Sequence, residues 1–210
     1  TLFDCLRIDH FRGLSSYWSV AAGALTARNG SWVQGPGIDF VSTIKAACPQ
    51  MDVIAEDLGY LTDEVRSLLS ASGFPGMKVL QFAFDTREPG NYLPHTYERH
   101  CICYAGTHDN TTVAGWFSEA ARADVELAEN YLGLNAREGY VWGVLRGGSG
   151  SVSNLFIAQM QDYLALDSGA RMNIPGTLGG NNWRWRMLPG EFTDDLISKI
   201  AAQTRLYGRA

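Results

Sequence analysis

The chain has 210 residues, 46% hydrophobic and 19% charged, an ordinary globular balance that excludes bulk disorder. A net charge of -5, only 17 Lys and Arg, and no basic block argue against a nucleic-acid partner. No uninterrupted apolar stretch is long enough to span a bilayer, so no membrane partner is expected either.

In chain order, short apolar strands alternate with helical stretches, which predicts βα units and a parallel sheet, an α/β fold. The first strand reads Leu2 to Asp9, followed by a long Gly-rich loop from Gly13 to about Gly37. Phe40, Val41, Ile44 and Ala47 recur at helical spacing and predict a helix over 40–47. A second strand, Met51 to Ala55, ends at Glu56-Asp57-Leu58-Gly59. Thr62 then caps a helix running to Ala71, with acidic residues in its first turn.

Lys78 to Phe84 predicts a third strand and Asp85 to Arg99 a polar loop. A fourth strand, Cys101 to Ala105, ends at Gly106-Thr107-His108-Asp109-Asn110, and helices are expected near Phe117–Leu132 and Ala136–Leu145. Val152 to Met160 fits a strand or a helix, and Asp194 to about Leu206 an amphipathic helix. The length suits one large domain or part of a larger barrel.

Cys5, Cys48, Cys101 and Cys103 form no CxxC pair and read as reduced core thiols of a cytosol-like compartment. Cys101 and Cys103 alternate along a strand and therefore share a face. Aromatic residues sit beside glycines in loops, as in Tyr17-Trp18 and Trp183-Arg184-Trp185. Such rings suit the apolar face of a sugar, or they close the ends of a core.

The chemistry concentrates where strands end: Arg7-Ile8-Asp9-His10, Ala55-Glu56-Asp57 and Thr107-His108-Asp109-Asn110. In parallel βα folds, ligands bind at the carboxyl ends of strands, so these carboxylates can converge on one pocket. Two carboxylates flanking a glycosidic bond are the equipment of glycosyl transfer, one as nucleophile and one as general acid/base. Arg7 and Asp9 are two apart on a strand and point the same way. Each motif also has a plainer reading: an ion pair, a turn or cap, and a loop hydrogen-bond cluster. No His/Cys spacing supports a metal.

At these residues the chain resembles the amylomaltase or disproportionating-enzyme family, glycoside hydrolase family 77. The motifs run in the family's order. They are Phe3-Asp4 with Arg7-Ile8-Asp9-His10-Phe11-Arg12-Gly13; Thr26-Ala27 with Gly30, Trp32-Val33 and Gly35-Pro36-Gly37; Ile54 through Gly59; Gly73 through Phe84; Gly106 through Asn110; and Arg171 through Thr177 with Asn182 through Arg186. Departures fall at Ala21, Ala24, Thr96 and Thr111, none a catalytic carboxylate.

The resemblance implies a 4-α-glucanotransferase: retaining transfer of α-1,4-glucan segments to the 4-OH of an acceptor glucose or maltooligosaccharide, through a covalent glucosyl-enzyme. Asp9 would be the nucleophile, Glu56 the general acid/base, and Asp109 the third carboxylate that grips the distorted sugar. Arg7 and His108 would support that subsite, and Trp32, Asp57, Asp85 and Asn173 would touch substrate. No cofactor and no metal are implied. The implied fold is a (β/α)8 TIM barrel of the α-amylase type, with residues 1–210 as its C-terminal part, about strands four to eight. The N-terminal strands would be absent from this chain, and that N-terminal part of the same enzyme would be its partner. The alternatives are an α-amylase-like retaining hydrolase and an inactive glucan-binding fragment. The implied compartment is the cytoplasm, or the plastid stroma.

Overall fold

The computed structural model describes residues 2–59, 61–87 and 92–209, and the chain divides into two compact units, Thr1–Met77 and Lys78–Ala210. Residues 88–91 of the predicted loop lie outside the described residues.

In the first unit, β1 (Cys5–Ile8) lies parallel to β4 (Asp52–Ala55), in register from Cys5 opposite Asp52 to Ile8 opposite Ala55. The strand predicted from Leu2 to Asp9 is thus shorter at both ends. Its partner offers only four residues to pair with, and Leu2 and Phe3 are exposed. β2 (Ser16–Val20) and β3 (Gly30–Gln34) form an antiparallel hairpin where a Gly-rich loop was expected. Gly30 belongs to that ladder: a Cβ there would lie 2.4 Å from the Ser19 carbonyl oxygen and 2.7 Å from the Trp18 indole.

Helix α1 (Gly37–Ala47) starts three residues before the predicted helix, and α2 (Asp63–Ser72) follows Thr62 as expected. Thr62 has the extended backbone of a cap, but its hydroxyl makes no cap bond; Gly73 ends α2 in the left-handed conformation. The apolar faces of these elements meet at Phe11, Val41, Val53, Ala55 and Phe74. Burying one such large side chain contributes about 1.5–3 kcal/mol.

The second unit contains a three-stranded sheet ordered β5 (Gly76–Val79), β6 (Cys101–Tyr104), β7 (Leu155–Ile157); β5 crosses the boundary between the units. β6 and β7 run parallel, Ile102 opposite Leu155 and Tyr104 opposite Ile157. The strand predicted over 78–84 stops at Val79, and Leu80–Phe84 forms a 3-10 helix. Leu80, Gln81, Ala83 and Phe84 are all buried, so the segment has no two-residue alternation, and the Gln81 N–H bonds the Ala105 carbonyl at 3.3 Å.

The predicted helix over 117–132 is two helices, α3 (Val113–Glu119) and α4 (Arg122–Leu132), because Ala120 and Ala121 take extended backbone between them. α5 (Tyr140–Ser149) starts later than predicted, after Gly139 at φ 89°. The ambiguous stretch from Val152 resolves into β7 and the start of α6 (Met160–Tyr163), while α7 (Asp194–Leu206) has the expected bounds. Leu80, Phe84, Val113, Leu132 and Leu145 lie in one core cluster, and Tyr97, Cys101 and Cys103 in another. The core-thiol expectation therefore holds for Cys101 and Cys103 but not for Cys5 and Cys48, which are exposed. Among the described residues, no helix is long and apolar enough to cross a membrane.

Candidate active site

In the first unit, β1 delivers Arg7 and Asp9, and β4 delivers Glu56 just beyond its last residue. The parallel register brings these ends together: the Glu56 N–H donates to the Ile8 carbonyl at 2.9 Å, and the Phe11 N–H donates to the Glu56 carbonyl at 3.0 Å. The Glu56 carboxylate accepts from the His10 N–H at 2.6 Å and the Leu58 N–H at 2.9 Å. The residue after Asp9 thus hydrogen-bonds directly to Glu56, and both carboxylates hang from one local frame. His10 holds a left-handed backbone, φ 53°, an uncommon conformation costing about 1–3 kcal/mol and typical of functional turns.

Arg7 Nη2 lies 3.1 Å from Asp9 Oδ1, and the Asp9 side chain remains 67% exposed. An ion pair this open contributes little stability, so its consequence is orientation. Trp32 projects from β3 opposite Trp18, their rings 5.5 Å apart edge to face, with the Arg12 guanidinium 5.2 Å from the Trp32 ring. The Trp18 indole N–H donates to the Ala27 carbonyl at 2.8 Å, which fixes that ring. Trp32 is 59% exposed, an apolar face open to a ligand.

Asp57 is placed differently from Glu56. It is buried, and its carboxylate accepts the Met77 N–H at 2.7 Å and lies where a Cβ on Gly76 would come within 2.6 Å of it. This placement ties the end of β4 to the start of β5.

In the second unit, Asp109 lies on the segment between β6 and α3. Asn173 Nδ2 donates to Asp109 Oδ1 at 2.6 Å, and His108 Nε2 lies 3.3 Å from Oδ2. Arg171 donates to the Asp109 carbonyl at 2.5 Å and to the Asn173 carbonyl at 2.7 Å, and the Asn173 N–H donates to the His108 carbonyl at 3.0 Å. Trp183, itself at φ 63°, packs its ring 5.0 Å from the His108 imidazole. Asp85, by contrast, is engaged by Arg87, whose side chain contacts both carboxylate oxygens at 2.8 and 2.6 Å. Among the described residues, no group of His, Cys, Asp and Glu is arranged to hold a metal.

Residues 1–191 match the family described as 4-alpha-glucanotransferase. The chain belongs to that family. It is 49% identical to the 4-alpha-glucanotransferase of Clostridium butyricum over 209 residues, 99% of this chain and 43% of the relative. It is 46% identical to that of Synechocystis over 208 residues, 98% of this chain and 41% of the relative. Among solved structures, the amylomaltase from Streptococcus agalactiae in complex with acarbose superposes with a TM-score of 0.92 at 39% identity, over 99% of this chain and 42% of that one. The chain therefore spans less than half the length of these relatives.

Within this family member the structure brings Arg7, Asp9 and Glu56 together in one unit and His108, Asp109 and Asn173 in the other. Sequence reasoning missed His10 and Arg171 as site residues, and had Trp183 only as one of the loop rings that suit a sugar face. The only signal available was their place inside longer motifs, next to residues whose chemistry was plainer.

Proposed function

We propose that the protein carrying this chain is a 4-α-glucanotransferase that moves α-1,4-glucan segments from a donor to the 4-OH of glucose or a maltooligosaccharide, with retention. Asp9 attacks the anomeric carbon and forms a glucosyl-enzyme. Glu56 protonates the departing oxygen, then takes the proton from the acceptor hydroxyl. Asp109 grips the hydroxyls of the reacting sugar, with His108 and Asn173 aiming its carboxylate, and Arg7 orients Asp9. The observation that carries this reading is the His10 N–H bond to the Glu56 carboxylate, which fixes the acid next to the strand end that bears the nucleophile. Trp32 is the sugar platform, and Asp57 and Asp85 are the remaining candidates for substrate contact.

In this reading residues 1–210 are the C-terminal part of a (β/α)8 barrel of the α-amylase type, with β1, β4, β5, β6 and β7 as its fourth to eighth strands. The substrates are α-1,4-glucans and maltooligosaccharides, the partner is the N-terminal part of the same enzyme, and the compartment is the cytoplasm, or the plastid stroma in a plant source. The acarbose bound to the Streptococcus agalactiae amylomaltase agrees with a glucan-binding site.

The test is incubation with maltotriose, resolving products by chain length. Two proteins are compared: this chain, and a chimera in which it replaces the matching part of the Clostridium butyricum relative. A ladder of longer maltooligosaccharides plus glucose from the chimera supports the proposal. Glucose and maltose alone would make the protein a hydrolase, and a folded chimera without products would overturn the assignment.

A further inference from the structure

Helix α6 is only four residues long, yet with its N-cap residue it sends three polar side chains into the second unit's interior. Gln159 Nε2 donates to the Thr107 carbonyl at 2.8 Å. Gln161 Nε2 donates to the Ala170 carbonyl at 3.3 Å. Asp162 Oδ1 accepts the Val113 N–H at 2.7 Å. These targets have one thing in common. Thr107 and Val113 flank the segment that carries His108 and Asp109, and Ala170 immediately precedes Arg171, which leads to Asn173. From a separate segment, Gln81 Nε2 donates to the Thr111 carbonyl at 2.9 Å.

We propose that Gln159, Gln161 and Asp162 form a positioning platform. It holds the Asp109 segment and the Arg171–Asn173 segment in one register, so that the Asn173 amide and the His108 imidazole meet the two oxygens of Asp109. The Asp109 carboxylate is held by Asn173 and His108, not by these three. They act on it through the backbone of the segments that carry it and its donors. This inference rests on the role given to Asp109 above.

Asp162 is the costly member. It is 0% exposed, its Oδ2 has no hydrogen-bond partner, and burial pushes its carboxyl up to about 6. A carboxyl retained at such a position despite its desolvation is explained by what Oδ1 holds, the first N–H of α3 at the end of the Asp109 segment. Packing against that segment is close: a Cβ on Gly115 of α3 would fall 2.4 Å from Thr111 Oγ1 and 2.9 Å from Ser168 Cβ.

The experiment uses the full-length chimera with Gln159→Met, Asp162→Ala and Asp162→Asn, and has two readouts. One is maltotriose transfer, resolved into kcat and KM. The other is the imidazole NMR signals of His108, assigned by difference against His108→Gln. Gln159→Met and Asp162→Ala are expected to shift the His108 signals and to lower kcat about tenfold with KM little changed. Asp162→Asn, which keeps the Oδ1 acceptor, is expected to restore both. Unmoved His108 signals in folded Gln159→Met and Asp162→Ala would overturn the platform whatever the activity. Should Asp162→Ala fail to fold, Gln159→Met, at a half-buried position, carries the test. Shifted signals with an unchanged kcat would uphold the platform and overturn instead the assignment of Asp109 to the reacting sugar.

Discussion

Glu56 in the first unit and Asp109 in the second are both carboxylates on segments that follow a strand, and both oxygens of each are engaged. Glu56 is held by main-chain N–H groups, from His10 and Leu58, and one of those donors is only two residues away. Asp109 is held by side chains: Asn173 lies 64 positions along the chain, and the neighbouring His108 is itself packed on Trp183. Backbone donors at a strand end are fixed by the sheet register. Side-chain donors hold only if their own segments are fixed, which calls for a second set of groups behind them. The surrounding interiors differ in the same direction. Among the described residues the first unit has a small cluster around Phe11, whereas the second has a larger cluster around Leu80, Phe84 and Leu145 and a separate one at Cys101 and Cys103.

The largest expected effect separates chemistry from support. In the chimera, Asp9→Asn should abolish maltotriose transfer, by about 10⁴-fold or more, while glucan binding persists. Substantial residual turnover would remove the nucleophile assignment and with it the functional half of the comparison.

A second effect belongs to the second unit's interior. Asp162 has its carboxyl pushed from 3.8 to about 6 by burial. The folded state therefore binds its proton more tightly than the unfolded chain. No penalty is present below about pH 3.8; it grows as pH rises toward 6 and reaches about 3 kcal/mol above that. Asp162→Asn should remove this dependence, so that Tm measured against pH loses its decline between pH 4 and 6. An unchanged profile would place the titration elsewhere.

Two smaller substitutions probe the two ways of holding a carboxylate. Asn173→Ala keeps the backbone bond to His108 but removes the donor to Asp109 Oδ1, a charge-assisted bond of about 1.5–3 kcal/mol. Transfer should fall about ten- to hundredfold, with little change in Tm. Gly76→Ala drives a methyl group against the Asp57 carboxylate in the first unit and should cost about 1–3 kcal/mol in urea unfolding. If a backbone-held frame dominates there, Asp57→Ala should partly rescue Gly76→Ala.

The same contrast decides what the sequence could disclose. Strand-end carboxylates are legible because a short apolar run followed by Glu56-Asp57 or His108-Asp109 announces both the strand and its terminus. The Trp18–Trp32 hairpin was hidden, since glycines that read as loop are there to let an indole lie against the opposite strand. The break between α3 and α4 was hidden too, because Ala120 and Ala121 have good helix propensity and are held extended by their tertiary setting. The closing of Gly76 and the Met77 N–H over Asp57 was hidden as well, because nothing local to Glu56-Asp57 reveals it. The groups behind Asp109 come from Gln81 on one segment and from Gln159 and Asp162 on another, and their meeting at the Asp109 segment depends on these distant parts of the chain packing together.

The mildest measurement reads the same contrast through the thiols. Cys5 and Cys48 are exposed and lie in the first unit; Cys101 and Cys103 are buried and lie in the second. Burial pushes the Cys103 thiol up to about 12, so almost none of it is thiolate at neutral pH, and the thiolate is the reactive form. Cys5 is raised as well, by partial burial and the nearby Asp52, so it should react more slowly than an ordinary surface thiol. A disulfide-exchange reagent should therefore label Cys48 and then Cys5 in the native protein, with Cys101 and Cys103 silent until urea opens the second unit. Mass mapping of the labelled sites reads this directly. Early labelling of Cys103 would mean that the cluster around Tyr97 opens without global unfolding. The second unit would then lack the rigid interior on which the side-chain grip on Asp109 depends.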